Sequence, residues 1–251
     1  MKVLAHAHTT YSGDGELTPQ ELADVAARRG FQAVLLSDHF EDLTAQSFAR
    51  LVGDCRAITS CLMVPGYERS WRGYHVLALG VDTWFDDPTP ESWAANVRAA
   101  GGLTTMAHPG RYRHEIPNDI LAICEAIEVW NSKAGYDGAV GPNPRAYKLL
   151  GGTRRPLCGQ DLHGVRHASM VALDAQASSA DRASILETIR QGRYRMTNGF
   201  YAFDGALSSA ARAFLAVFHA GRTPAMNAAM RIVKKARRAR RTGTSASVIR
   251  P

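Results

Sequence analysis

Apolar residues alternate in period between two and three to four along most of the chain, which predicts strands interleaved with helices. Lys2 to Ala7 is a short apolar run with strand character, followed by a helix from Thr18 to Arg29. That helix carries its own punctuation: Thr18 as N-cap, Pro19 in the first turn, Glu21 three residues after the cap and Gly30 as the stop. Gln32 to Ser37 reads as the next strand. Further strands are predicted at Leu62–Gly66, Tyr74–Leu79, Leu103–Ala107, Ala126–Trp130, Arg155–Gly159, Met170–Leu173 and Tyr194–Thr197. Helices are predicted at Ala45–Ile58, Pro90–Ala100, Asn118–Glu125, Pro144–Leu150 and Asp181–Gln191. Such alternation over some 200 residues predicts an α/β fold, as a barrel or an open sheet.

The pattern changes near Leu207, where an Ala-rich helical stretch gives way to a basic run and then to Gly-Thr-Ser-Ala-Ser. The expected division is therefore a folded body over 1–205, a helical extension over 206–230 and a basic, disordered tail over 231–251. The formal charge of +7 belongs to that tail. Seven of the 30 basic residues lie between Arg231 and Arg241, and the other 23 match the 23 acidic residues. Four cysteines (Cys55, Cys61, Cys124, Cys158) show no CxxC pairing and are expected as buried, reduced thiols. No stretch approaches the ~18 apolar residues of a membrane span, and His6 interrupts the N-terminal apolar run before it reaches signal-peptide length. These features together predict a cytoplasmic protein.

Several predicted strands end in a side chain that can bind metal. The first ends in His6 and His8, which share a face if the strand is regular, and the next loop carries Asp14. Ser37-Asp38-His39 closes the second strand, and Gly-Tyr-Glu places Glu68 just past the third. His75 opens the strand that follows, His108 ends another in Ala-His-Pro, and Gln-Asp-Leu-His supplies Asp161 and His163. Taken singly, each has an ordinary reading: Asp38 or Asp161 as a helix cap, Asp14 as a turn former, Glu68 as half of a surface ion pair. Taken together, so many imidazoles and carboxylates at strand ends would be costly without cations to bind. Imidazole with carboxylate suits Zn, Mn or Fe, and the number of ligands implies two or three divalent metal ions. Asp38 is expected to support its neighbours rather than to ligate. Glu128 is expected either to do the same or to face the substrate. His114, His167 and His219 fall outside these motifs.

As a set and in this order, His-x-His-Thr, Asp-His, Gly-Tyr-Glu, His-Val-Leu-Ala-Leu-Gly, Ala-His-Pro and Asp-x-His resemble the polymerase and histidinol phosphatase (PHP) superfamily, over roughly residues 1–200. The resemblance implies a distorted, TIM-like (β/α)7 barrel with a metal cluster at the C-terminal mouth of the strands. It further implies one ion on His6, His8, Glu68 and Asp161, a second on Asp14, His39 and His163, and a third on Glu68, His75 and His108.

The expected activity is hydrolysis of a phosphoester (a phosphomonoester, nucleotide or short oligonucleotide) by metal-activated water, with no protein nucleophile. Arg111, Arg113 and Arg72 are the candidates to neutralise phosphate, Arg111 foremost. Thr197-Asn198-Gly199 after Gly192-Arg193-Tyr194 resembles a superfamily branch that includes carbamate and amide hydrolases, which makes that chemistry the alternative. A reading of another class is a non-catalytic protein that binds nucleic acid or an anionic membrane through the basic tail. The expected partners are a small phosphorylated substrate or short nucleic acid, a weak anionic partner for the tail, and no inserted membrane.

Overall fold

The computed structural model describes residues 1–221. Its strands, in chain order, are β1 (Lys2–Ala7), β2 (Ala33–Leu36), β3 (Asp38–His39), β4 (Leu62–Val64), β5 (Gly66–Trp71), β6 (Tyr74–Leu79), β7 (Leu103–Met106), β8 (Ala126–Asn131), β9 (Arg155–Gly159), β10 (Ala172–Ala175), β11 (Tyr194–Thr197) and β12 (Ala202–Phe203). The α-helices are α1 (Pro19–Arg28), α2 (Ala45–Ala57), α3 (Pro90–Ala99), α4 (Asn118–Ala122) and α5 (Arg182–Gln191). The cap expected on α1 is present in full: Thr18 Oγ1 accepts from the Glu21 backbone N–H, and the Glu21 carboxylate accepts from the Thr18 N–H.

Two six-stranded sheets carry the fold, ordered β12-β11-β10-β1-β2-β4 and β3-β5-β6-β7-β8-β9. They are linked by two bent runs. A single residue, Ser37, separates β2 from β3, and Pro65 separates β4 from β5, so each run begins in one sheet and ends in the other. At the remaining seam the segment after β9 hydrogen-bonds to β1: Gln160 N–H to Ala5 O at 3.0 Å, Leu162 N–H to His6 O at 3.1 Å, and His8 N–H to Leu162 O at 2.8 Å. β1 thus pairs with β10 through its first half and with residues 160–162 through its second. The result is a distorted barrel with no continuous closed ladder.

Half of the strand pairings are parallel, as the strand–helix alternation predicts: β1–β2, β2–β4, β3–β5, β7–β8 and β8–β9. The others are antiparallel: β6 against both β5 and β7, β10 against β1 and β11, and β11 against β12. Only two residues, Arg72 and Gly73, join β5 to β6, too few for a parallel crossover. This reversal brings the first residues of β6 to the end of the barrel where its neighbours finish.

Three local expectations are corrected. Glu68 lies inside β5 rather than past a strand end. The stretch 144–150 forms only a 3-10 turn, Ala146–Leu150, and α4 ends at Ala122. Short β3 escapes periodicity because two residues have no period to read.

Beneath the barrel mouth the core is continuous, with Leu4, Leu35, Leu77, Leu79, Trp93, Leu103 and Trp130 fully buried. All four cysteines are buried and unpaired, and burial pushes the Cys55 and Cys124 thiols up to about 12 and that of Cys61 up to about 11. The chain divides into one compact unit over Met1–Leu207 and a second beginning at Ser208, whose described part is a helix over 209–221. The remainder of the expected extension and the basic tail lie outside the described residues. Among the described residues no helix is long and apolar enough to cross a membrane.

Candidate metal centre

All nine side chains singled out as ligands converge at one mouth of the barrel. β1 delivers His6 and the residue just past its end is His8, β3 delivers His39, β5 delivers Glu68, the start of reversed β6 delivers His75, and the turn after β7 delivers His108. Asp161 and His163 follow β9, and Asp14 reaches in from the loop after β1. Their ligating atoms fall into four groups, each within 4.8 Å: His8, Asp14, His39 and His163; His6, His8 and Glu68; His6, His108 and Asp161; Glu68, His75 and His108. The grouping differs in detail from the sets implied by resemblance. His8 joins the Asp14 group, and His108 stands with His6 and Asp161. Glu68 is shared by two groups, and its Oε1 lies 2.8 Å from His75 Nδ1 and 3.1 Å from His108 Nε2.

The backbone reason for convergence is not the simple pleat. His6 sits at φ +63°, where the β1–β2 register slips between Ala5 and Ala7, so the His6 and His8 rings meet at 5.2 Å across a bulge rather than along a regular face. His108 (φ +29°) and Asp161 (φ +48°) also adopt the left-handed region. Such backbone costs of order 1–3 kcal/mol per residue and tends to persist where a site needs a side chain aimed off its strand.

Hydrogen bonds fix how the imidazoles face inward. His6 Nδ1 donates to Glu128 Oε1 at 2.8 Å. Glu128 Oε2 accepts from the His108 backbone N–H at 2.7 Å and from Asn131 Nδ2 at 2.9 Å. Glu128 therefore contacts two candidate ligands, as a supporting partner would. Asp38 is buried and accepts from Thr9 N–H at 2.6 Å and Ser12 Oγ at 2.9 Å. Ser12 Oγ gives its one proton to Asp38 and accepts from the His39 N–H at 2.8 Å, so at its 3.3 Å contact with His8 Nδ1 the imidazole is the donor. In the neutral form of either ring the second nitrogen, Nε2, is then a bare lone pair.

Those two nitrogens suit a pocket that takes cations. His6 Nε2 and His8 Nε2 are buried with no hydrogen-bond partner. They face Asp161 Oδ1 at 3.5 and 3.4 Å and the Glu68 carboxylate at 3.8 and 3.7 Å. Acceptors turned toward acceptors at this range are unfavourable unless a positive ion or a proton lies between them. The residues present fit divalent metal ions.

The titration behaviour of the protein without metal has the same origin. Burial, reinforced by the neighbouring His6 and His163, lowers His8 to about 3. Burial opposes charging of His6 as well, but the Glu128 and Asp161 carboxylates outweigh it and raise His6 well above the usual imidazole range. His39 is raised to about 9, because the Glu68 and Asp14 carboxylates overcome its burial. Burial would raise Glu68, yet contacts with His108, His39, His6 and His75 hold it well below the carboxylate range. Asp161 is likewise lowered against its burial, chiefly by His6 and His8.

The candidate phosphate-binding arginines separate. Arg111 lies in the short turn Pro109–Tyr112 directly after His108, with its guanidinium 5.9 Å from the Tyr112 ring and acting on the Tyr136 hydroxyl. Tyr136 in turn packs 4.9 Å from the His108 ring. Arg72 occupies the exposed β5–β6 turn and pairs with Asp119. Arg113 is exposed, and among the described residues no hydrogen bond or ion pair ties it to the ligands. His167, placed outside the motifs by sequence, accepts from the His163 backbone N–H at 3.3 Å and braces that ligand.

Sequence reasoning also missed Ser12, Asn131 and Lys133. The last sets its Nζ 2.7 Å from Asp161 Oδ2. The available signal was the spacing Glu128-x-x-Asn131-x-Lys133 leaving a strand end. A separate hollow of about 840 Å³ opens near the start of β1, lined by Met1, Lys2, Phe31 and Asp174 among others, and gathers no ligating cluster.

The chain is similar to known proteins in part of its sequence and in its fold. Residues 5–115 match the PHP domain model. Among solved structures, the chain is similar to a two-domain protein from Bacteroides vulgatus containing a predicted PHP-like metal-dependent phosphoesterase (TM-score 0.60, 18% identity, covering 81% of this chain and 65% of that one). The chain thus spans about two thirds of that protein's length. It is also similar to PsfC from Pseudomonas syringae (TM-score 0.53, 15% identity, 89% and 98% covered). A third is an amidohydrolase from Chromobacterium violaceum with bound sulfate (TM-score 0.47, 18% identity, 65% and 88% covered). No curated protein matches the chain by sequence.

Proposed function

From a chain that carries a PHP domain over residues 5–115, we propose a metal-dependent phosphoesterase that acts on a small phosphorylated substrate or a short nucleic acid. The observation that carries this reading is the pair of buried, unpartnered Nε2 atoms of His6 and His8 turned toward Glu68 and Asp161. His6, His8, Asp14, His39, Glu68, His75, His108, Asp161 and His163 would hold two or three divalent ions, with Zn, Mn and Fe suited to the donor set. Bound divalent ions supply Lewis acidity there, polarising a substrate oxygen and acidifying water.

The chain's own residues do the rest. Glu128 and Ser12 lock the His6 and His8 rings so that Nε2 points inward, and Asp38 holds Ser12. Asn131 and the His108 backbone keep Glu128 in place. Arg111, beside Tyr136 and next to His108, supplies positive charge where a phosphoryl oxygen would lie. None of these groups acts as a nucleophile: the four thiols are buried, and the serine nearest the ligands, Ser12, has its proton engaged by Asp38.

A parallel substrate screen of metal-supplemented protein tests the reading. Turnover of aryl phosphates, nucleotides or short oligonucleotides, without turnover of aryl carbamates or amides, is expected. The reverse preference would replace the phosphoesterase with a carbamate or amide hydrolase. Binding of nucleic acid or anionic vesicles with no turnover of any ester or amide would favour a non-catalytic role of the basic run.

A further inference from the structure

The charged side chain nearest the ligands to which no role has yet been given is Lys133. It is held on a braced loop. Its backbone N–H donates to Asn131 Oδ1 at 3.0 Å, and Asn131 is fully buried, with its Nδ2 on Glu128 and its N–H on Asp137 Oδ2 at 2.9 Å. The carboxylate that orients His6 therefore also anchors the turn that presents Lys133.

Lys133 splits the two oxygens of Asp161 between different partners. Oδ1 faces His6, His8 and His163 at 3.4–3.5 Å, whereas Oδ2 is taken by Lys133 Nζ at 2.7 Å. An ammonium has three N–H donors. His163 Nδ1, 3.5 Å from Nζ, lies 3.0 Å from the Asp161 carbonyl oxygen, so it is a donor there and cannot accept from Lys133. Among the described residues this leaves Asp161 as the acceptor for one N–H. The side chain is 26% exposed at the mouth, and its Nζ lies 5.8 Å from the Tyr136 ring, on the side where Arg111 stands.

We propose that Lys133 receives the anionic group of the substrate, bridging Asp161 and a non-ester oxygen of a phosphate-type oxyanion. This rests on the hydrolytic reading above and narrows it to esters that carry negative charge at the group under attack. No proton moves: Lys133 donates hydrogen bonds throughout, and its charge counters the charge that builds on those oxygens. A neutral amide or carbamate carbonyl gives such a fixed cation little to bind in the ground state.

The test is calorimetric titration of inorganic phosphate into the manganese-loaded full chain, with metal content of the same samples measured by mass spectrometry, for the native protein, Lys133→Met and Lys133→Arg. Loss of one charge-assisted contact predicts a phosphate Kd raised about ten- to a hundredfold in Lys133→Met. Metal per chain should stay unchanged, and Lys133→Arg should recover part of the affinity. Native phosphate affinity in Lys133→Met overturns the proposal. So does a loss of affinity that tracks loss of metal, which would make Lys133 only a brace for Asp161. Failure of the phosphoesterase reading is separate: phosphate would bind and depend on Lys133, yet no phosphoester would turn over.

Discussion

Nδ1 of His6 lies 2.8 Å from Oε1 of Glu128, 122 positions away in sequence and equally buried. That bond sets the tautomer of His6 and hence whether its inner nitrogen can bind metal. Glu128 accepts from three donors at once: His6, the His108 backbone and Asn131. Glu128→Ala is expected to weaken metal binding about 10- to 100-fold in chelator competition, the usual effect of removing such a partner. Glu128→Gln should rescue little. Its single amide oxygen cannot serve both sides, and its NH2 would face a donor in either orientation.

Gly159 guards the same carboxylate. A Cβ at this position would lie 2.0 Å from Glu128 Oε1 and 3.0 Å from His6 Cβ. Gly159→Ala should therefore lower stability by about 1–3 kcal/mol in urea denaturation and weaken metal binding in the same protein. Gly53, inside α2 with nothing within 4 Å of its would-be Cβ, is the control. Gly53→Ala should be neutral or stabilising by up to ~1 kcal/mol.

pH should act in opposite directions on the metal-free fold and on metal binding. Burial opposes charging of His39, but Glu68 and Asp14 raise it to about 9, above the ~6.5 of an unfolded histidine. Its contribution to the metal-free fold is fully present below about pH 6.5 and is lost as pH rises through about 9. Metal binding needs His39 neutral, so affinity should rise between pH 7 and 9 with release of a proton. Denaturation of metal-free protein at pH 6 and 9.5, with metal titration at pH 7 and 9, checks both signs. Metal affinity that falls over that range would contradict the assignment of His39.

The arginines offer a cleaner separation than sequence could provide. Arg72→Ala, at an exposed turn paired with Asp119, should leave KM for an aryl phosphate within about twofold, since exposed pairs contribute little. Arg111→Ala should raise KM about tenfold or more, the scale of one charged hydrogen bond. Steady-state kinetics on the two variants decides between them.

The residues that make the site were legible because metal ligands are few in kind and sit at strand ends, where apolar runs stop. The candidate ligands His6, His39, His108 and Asp161 announce themselves in this way. What supports them was not legible. Ser12 and Lys133 are ordinary polar residues in loops and Asn131 is one at the end of β8, and their roles depend on contacts such as Lys133 to Asp161, 28 positions apart. Arg72 and Arg111 look alike in sequence and differ only in what each meets. The reversal of β6 was not visible, because the strand expected at Leu62–Gly66 stops short of β5 and so hides the two-residue turn that brings His75 to the mouth. Periodicity could not show that β2–β3 and β4–β5 bend from one sheet into the other, because a bend at Ser37 or Pro65 leaves the apolar pattern unchanged.

The most direct test of the account is the metal content of cleanly purified protein after growth with added manganese or zinc, measured by mass spectrometry with Glu68→Ala beside it. The account predicts about two or three transition-metal ions per chain in the native protein. Glu68→Ala should lose more than any single histidine variant, because Glu68 is the one carboxylate in two of the ligand groups and has two oxygens to offer, whereas an imidazole shared by two groups turns one nitrogen to them. Native protein that retains no stoichiometric transition metal under these conditions would contradict the central claim.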